Sequence, residues 1–353
     1  MPKIVVIGAG CPQLVQLLIL DPSLHGFEDF TIYEKGSDVG GTWKDNIYPG
    51  AASDVSTHLY SASTDLNPDW SVTRAPQAEM FEYWRKLTAK YNLYRHIVFN
   101  RSVVSAEWNT KEQLYNIVTE DVQSGDRFST TAKILISAIG TRYPNIAGLS
   151  SFKGDMFHSP RWNTGVDLRG KRVAVIGNGA SARARRICHH IESYHSDCRI
   201  QFIPLITKDE TVQVTEFCRS PNWFVPAVII LVYFGDDVHD HILKPKSTSQ
   251  GRWLNLANTS KYLMSPQLLT NYIKLTAPKE YHEFLVPEYR PGCKRLLLDT
   301  NFLRSLHQLN ITLNWDGIQS TCEDGIGTKK GQRLPFDVVI FATGFTAVYA
   351  YHQ

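Results

Sequence analysis

Two short apolar runs, each ending in glycine, constrain this chain more than any other feature. Ile4-Val5-Val6-Ile7 leads into Gly8-Ala9-Gly10, and Val173-Ala174-Val175-Ile176 leads into Gly177-Asn178-Gly179-Ala180-Ser181-Ala182. Unbroken apolar runs of this length suit strands buried on both faces of a parallel sheet. A strand that turns through Gly-x-Gly into a helix opens a βαβ unit whose turn can lie against a pyrophosphate. The first glycine allows the tight turn, and the second keeps a side chain out of the path of the phosphates. The fold class expected is α/β, with two Rossmann-like dinucleotide-binding domains.

The residues that would read the ribose differ between the two units. In the first, Pro12 suits an opening helical turn, Leu14–Leu20 reads as helix, and Phe30–Tyr33 reads as the next strand. That strand ends at Glu34, which lies 24 residues after Gly10. A carboxylate there can accept hydrogen bonds from ribose hydroxyls. Gln13 stands where a third glycine is usual, so a long side chain must be accommodated.

In the second unit, Ala182 takes the third place, a variant common in sites for NADP. The strand Gln213–Phe217 is followed by Cys218-Arg219-Ser220. A guanidinium suits a 2′-phosphate that a carboxylate would repel. Arg219, with Ser220, is therefore expected to select NADPH. Arg219 lies 40 residues after Gly179, and omitting the 17 residues Arg183–Arg199 would leave 23. Residues 183–199 are expected to be an insertion, either genuine or an artefact of the gene model. Cys188, His189, His190, His195 and Cys198 crowd together there, but their spacing matches no ordinary zinc pattern, and no metal is expected.

The rest of the chain reads as an ordinary globular protein. Its 353 residues suggest two or three domains, and a net charge of +3 argues against nucleic acid as the main partner. Six scattered cysteines form no disulfide framework, which suits a reducing, cytoplasmic setting. Trp223–Phe234 is too short to span a bilayer and contains Pro226, so it is expected in the core. Residues 36–60 read as a long loop and Met80–Tyr91 as a helix. Ser102–Glu107, Leu114–Thr119, Lys133–Ser137 and Phe336–Phe345 read as strands.

Four stretches resemble one family, the Baeyer–Villiger type (class B) FAD/NADPH-dependent flavoprotein monooxygenases. Gly40-Gly41-Thr42-Trp43, Tyr48-Pro49-Gly50 and Asp54 are similar to its long signature. Phe152, Gly154, His158 and Trp162 are similar to its linker fingerprint. Pro291-Gly292-Cys293-Lys294-Arg295 resembles its lysine–arginine pair, and Ala342-Thr343-Gly344-Phe345 resembles the motif that returns the chain to the FAD domain. Asn163 and residues 227–262 depart from the pattern. Members of the family continue beyond the position of Gln353, so a C-terminally shortened chain is expected.

The resemblance implies an FAD-binding domain at 1–150, a linker at 151–169, an NADP-binding domain at 170–335 and a strand back to the FAD domain at 336–353. FAD would sit at Gly8, Gly10, Glu34, Gly41, Thr42, Trp43 and Asp54. NADPH would sit at Gly177, Gly179, Ser181, Arg219, Ser220 and Lys294. His158 and Trp162 would couple NADP binding to domain position. The activity implied is insertion of one oxygen atom from O2 into a small-molecule ketone, giving an ester or lactone, in secondary metabolism. Arg295, oriented by Asp54, would stabilise the anionic oxidant without protonating it. Two alternatives stand beside this reading: an N- or S-oxygenating flavin enzyme, and an inactive remnant.

Overall fold

The computed structural model describes residues 3–10, 29–53, 57–62, 65–137, 151–177, 198–226, 265–293 and 296–342. The first unit holds β1 (Ile4–Ile7), β2 (Phe30–Tyr33), α1 (Thr42–Asp45), α2 (Gln77–Lys90), β3 (Ile97–Val98), β4 (Arg101–Asn109), β5 (Leu114–Asp121), β6 (Arg127–Ala132) and β7 (Ile134–Ser137). β1, β2, β3 and β7 form a parallel sheet in the order β3-β2-β1-β7. All four β1 residues are buried, as its unbroken apolar run requires. Successive side chains point to opposite faces. Ile4 and Val6 pack with Ile32 and Val39 on one face, and Val5 packs with Ala106, Ile117 and Ala132 on the other. The second group comes from an antiparallel sheet, β4-β5-β6, laid across the first.

The second unit repeats this plan. It holds β8 (Asp155–His158), β9 (Arg172–Ile176), α3 (Cys198–Ile206), β10 (Gln213–Phe217), β11 (Phe224–Pro226), α4 (Pro266–Thr276), α5 (His282–Leu285), β12 (Leu297–Asp299), α6 (Phe302–Ser305), β13 (Ile311–Asn314), β14 (Ile318–Cys322), β15 (Gly325–Thr328), β16 (Arg333–Pro335) and β17 (Val338–Phe341). Its parallel sheet runs β13-β10-β9-β17-β8. Val173 and Val175 of β9, with Val338 and Ile340 of β17, enter the large core formed with α3, α4 and α6. Ala174, Ile176, Val339 and Phe341 face Ile326 of the antiparallel sheet β14-β15-β16. In chain order, β1, β2, β3, a three-stranded antiparallel sheet and β7 correspond to β9, β10, β13, a second such sheet and β17.

This correspondence corrects two expectations. Val338–Phe341 does not rejoin the first sheet; it pairs with β9 and β8 in the second. Part of the 151–169 linker is β8, the edge strand of that same sheet. The stretch read as a continuous loop over 36–60 contains α1 and a 3₁₀ turn at Thr57–Tyr60. Trp223, Phe224 and Val225 are buried as expected, and residues 227–234 lie outside the described residues, as does Leu14–Leu20.

Cys198 and Arg199, read as the end of an insertion, lie in α3. Cys198 and Arg199 are buried in the first turn of α3, and Arg199 forms a buried ion pair with Glu216 of β10 while stacking over Phe302. Residues 183–197 lie outside the described residues. Charged residues enter a core only when their charge is met there. Replacing Arg199 by Ala would leave a buried carboxylate without its guanidinium. The expected cost in urea unfolding is about 3–5 kcal/mol, with most of it recovered in the Arg199→Met/Glu216→Leu double variant.

Candidate functional site

Each unit presents a glycine turn at the end of its central strand. Gly8 has φ +97° and Gly177 has φ +117°, a region strained for any residue with a Cβ. The turn then returns to the neighbouring strand: Gly8 N donates to Tyr33 O at 2.8 Å, and Gly177 N donates to Phe217 O at 3.4 Å. The residue after that strand is thereby brought beside the turn.

In the first unit that residue is Glu34, only 9% exposed. Its Oε2 accepts from Ala9 N at 2.6 Å and its Oε1 from Gly36 N at 2.7 Å. The backbone thus fixes the carboxylate in place, and each oxygen keeps a further lone pair for a ribose hydroxyl. Gly40 and Gly41 lie across the same turn, with Gly40 N donating to Ala9 O at 3.3 Å. A Cβ on Gly10 would lie 3.0 Å from Gly41 Cα, and one on Gly41, whose φ is +45°, would lie 2.4 Å from Gly10 Cα. The immediate reason for glycine at position 10 is therefore the backbone of Gly41. Thr42 is exposed at the start of α1. Trp43 is half-buried edge-on to Tyr60, with ring centroids 5.6 Å apart, and its carbonyl accepts from Gln77 Nε2.

In the second unit the residue equivalent to Glu34 is Cys218, not Arg219. Glu34 N donates to Val98 O of β3, and Cys218 N donates to Asn314 O of β13, the matching strand. The register places Tyr33 opposite Ile7 and Phe217 opposite Ile176. A small, buried thiol stands where the first unit has a carboxylate. Arg219 follows it and is exposed; Ser220 is half-buried. Arg219 thus lies one position beyond the residue that matches Glu34.

His158 and Trp162 are core residues. His158 closes β8 opposite Phe341 and is 5% exposed. Burial, and then the nearby Arg161 charge, push its imidazole down to about 4. Trp162 packs against Phe157 and Phe202, each with ring centroids 5.2 Å away. Ser159 lies 2.8 Å from Cys198 Sγ, so the linker is fastened to α3. Asp54, Gly179, Ser181, Lys294 and Arg295 lie outside the described residues.

Sequence reasoning passed over Tyr48 and Gln201 as functional residues. Tyr48 Oη donates to Gln201 Oε1 at 2.8 Å, joining the two units. Tyr48 stood within a quoted motif, and a tyrosine in a polar loop carries a signal of burial with a bonded hydroxyl. Gln201 carried none. Among the described residues no cluster of three metal-ligating side chains occurs, and no helix is long and apolar enough to cross a membrane.

Residues 1–193 match the family described as "Flavin-binding monooxygenase-like". The FAD-binding monooxygenase ktnD of Aspergillus niger is 32% identical over 98% of this chain and 57% of its own length. A Baeyer–Villiger monooxygenase of Pseudomonas aeruginosa is 31% identical over 98% of this chain and 64% of its own. The chain thus spans about three fifths of the length of these curated relatives. A crystal structure of OTEMO in complex with FAD and NADP superposes with a TM-score of 0.74 at 25% identity, covering 98% of this chain and 71% of that one.

The buried His158 generates a pH prediction. Its folded value is depressed, so the unfolded chain binds more protons between the two values and stability rises with pH there. The contribution is complete above about 6.5 and is lost as pH falls toward about 4. The melting temperature should therefore drop over this window, and His158→Gln should flatten the part of that slope due to this residue. An unchanged slope in the variant would contradict the assignment.

Proposed function

This chain belongs to the flavin-binding monooxygenase-like family, and we propose that it is an FAD-dependent, NADPH-consuming monooxygenase acting on a ketone. The observation that carries the reading is the contrast between its two glycine turns. Beside one turn the backbone holds a carboxylate, Glu34; beside the other stands Cys218 with Arg219 next to it. A carboxylate favours an unphosphorylated ribose and would repel a 2′-phosphate, whereas a thiol beside a guanidinium accepts one.

The residues present fit two dinucleotides. Gly8 and the Gly40-Gly41 strap would hold the FAD pyrophosphate region, and Glu34 its ribose. Gly177 and Arg219, with Ser220, would hold NADPH, joined by Gly179, Ser181 and Lys294. Reduced flavin supplies oxygen activation when bound; the protein's part is to position and shield it. Asp54 and Arg295 are the proposed pair at the reacting centre, the arginine supplying a charge that does not titrate at any working pH. Trp43 would pack near the flavin, held by Gln77 and Tyr60. His158 stays neutral in its buried place, which suits a positioning role better than proton transfer at neutral pH. The relatives named Baeyer–Villiger monooxygenase support a ketone as substrate, with oxygen as co-substrate.

The test combines product and cofactor selectivity. With FAD, NADPH, ¹⁸O2 and a panel of cyclic and linear ketones, one labelled oxygen should appear in an ester or lactone. Labelled N-oxides or sulfoxides without any ester would contradict the ketone reading. Arg219→Ala should raise KM for NADPH about tenfold to a hundredfold and leave that for NADH nearly unchanged, since a charge-assisted contact is worth about 1.5–3 kcal/mol. Cys218→Asp should shift preference the same way. Equal effects on both cofactors would count against the assignment of the 2′-phosphate site.

A further inference from the structure

One side chain joins the two units in a way neither nucleotide site explains. Gln201 of α3 is 7% exposed, and both ends of its amide are used. Oε1 accepts from Tyr48 Oη at 2.8 Å, and Nε2 donates to Ala52 O at 3.2 Å. A backbone carbonyl only accepts, so this pair of contacts permits a single orientation of the amide. Tyr48 is itself 5% exposed, with its ring edge-on to Phe202 at 5.9 Å. Between these contacts, Gly50 has φ +75°, and a Cβ there would lie 2.6 Å from Leu205 Cδ1 and 3.3 Å from Gln201 O. The 48–52 loop thus reads one turn of α3, from Gln201 to Leu205.

Each partner is tied to its own unit. Gln77 N at the start of α2 donates to Ala51 O at 2.9 Å, and Ser53 N donates to Ala75 O at 3.0 Å. On the other side, the Arg199–Glu216 ion pair and the hydrogen bond from Thr300 Oγ1 to Ile200 O hold α3. A buried amide costs free energy unless both of its ends are met, and these ends are met in one relative placement of the two units.

We propose that Gln201 is a positioning residue, its amide being the latch through which α3 of the second unit holds the 48–52 loop of the first and so couples the two nucleotide sites. The latch itself stands on contacts alone; the coupling rests on the dinucleotide reading above.

The test has two arms, on the full chain and its variants Gln201→Leu, Gln201→Glu and the milder Tyr48→Phe. Without cofactor, limited proteolysis reports opening of the 48–53 segment. Gln201→Leu should raise the cleavage rate at least about fivefold, the effect expected from losing one net hydrogen bond of about 1 kcal/mol. Tyr48→Phe should give a smaller rise, and Gln201→Glu, which turns a carboxylate oxygen toward the Ala52 carbonyl, should give a rise at least as large as Gln201→Leu. Rates equal to wild type in all three would overturn the latch. In the second arm, FAD affinity is measured by fluorescence with and without NADP⁺. NADP⁺ should tighten FAD binding in the wild type, and Gln201→Leu should reduce that ratio to about one. A purely structural role would weaken FAD binding equally with and without NADP⁺, and an unchanged ratio would overturn the coupling. If no variant binds FAD but cleavage rises as stated, the latch stands and the dinucleotide reading fails.

Discussion

A single backbone hydrogen bond, repeated in both units, fixes which residue stands beside each glycine turn. The amide of the first turn glycine donates to the last carbonyl of the neighbouring parallel strand, Gly8 to Tyr33 and Gly177 to Phe217. The bond exists because glycine alone adopts the positive φ of the turn without strain. It also places the next residue of the neighbouring strand against the turn. Glu34 and Cys218 thus arrive at corresponding places from unrelated sequences, a carboxylate beside one turn and a thiol beside the other.

The internal repeat follows from the same strand pairing. Each parallel sheet buries its central strands on both faces, which demands a layer on each. In both units a three-stranded antiparallel sheet supplies one of them. The units are then joined by α3, whose Phe202 receives Tyr48 from one side and Trp162 from the other. The signature loop and the linker fingerprint, far apart in sequence, meet on one helix.

This arrangement explains what could be read from the sequence. The central strands were legible because continuous burial leaves continuous apolar runs, and α2 was legible because it is long. β6 was not, since Arg127-Phe128-Ser129-Thr130-Thr131-Ala132 buries one residue and shows little apolar pattern. The sheet to which Val338–Phe341 belongs was also hidden, because an apolar run announces a strand but not its neighbour. Arg199 read as the end of an insertion because a charge reveals nothing about a buried partner 17 positions away. The position matching Glu34 was displaced by one residue because strand ends are weakly marked, and only the register distinguishes Cys218 from Arg219. Gln201 was invisible, since its role depends on two residues from another unit.

The central claim is that two dinucleotide sites of opposite ribose preference operate together in one chain. Anaerobic titration of the purified, FAD-reconstituted protein tests it most directly, by following the flavin absorption band while NADPH or NADH is added. The account predicts stoichiometric bound flavin that bleaches fully with NADPH, and with NADH only at concentrations at least about tenfold higher. A protein that retains no flavin, or a flavin that bleaches equally with both, would contradict it.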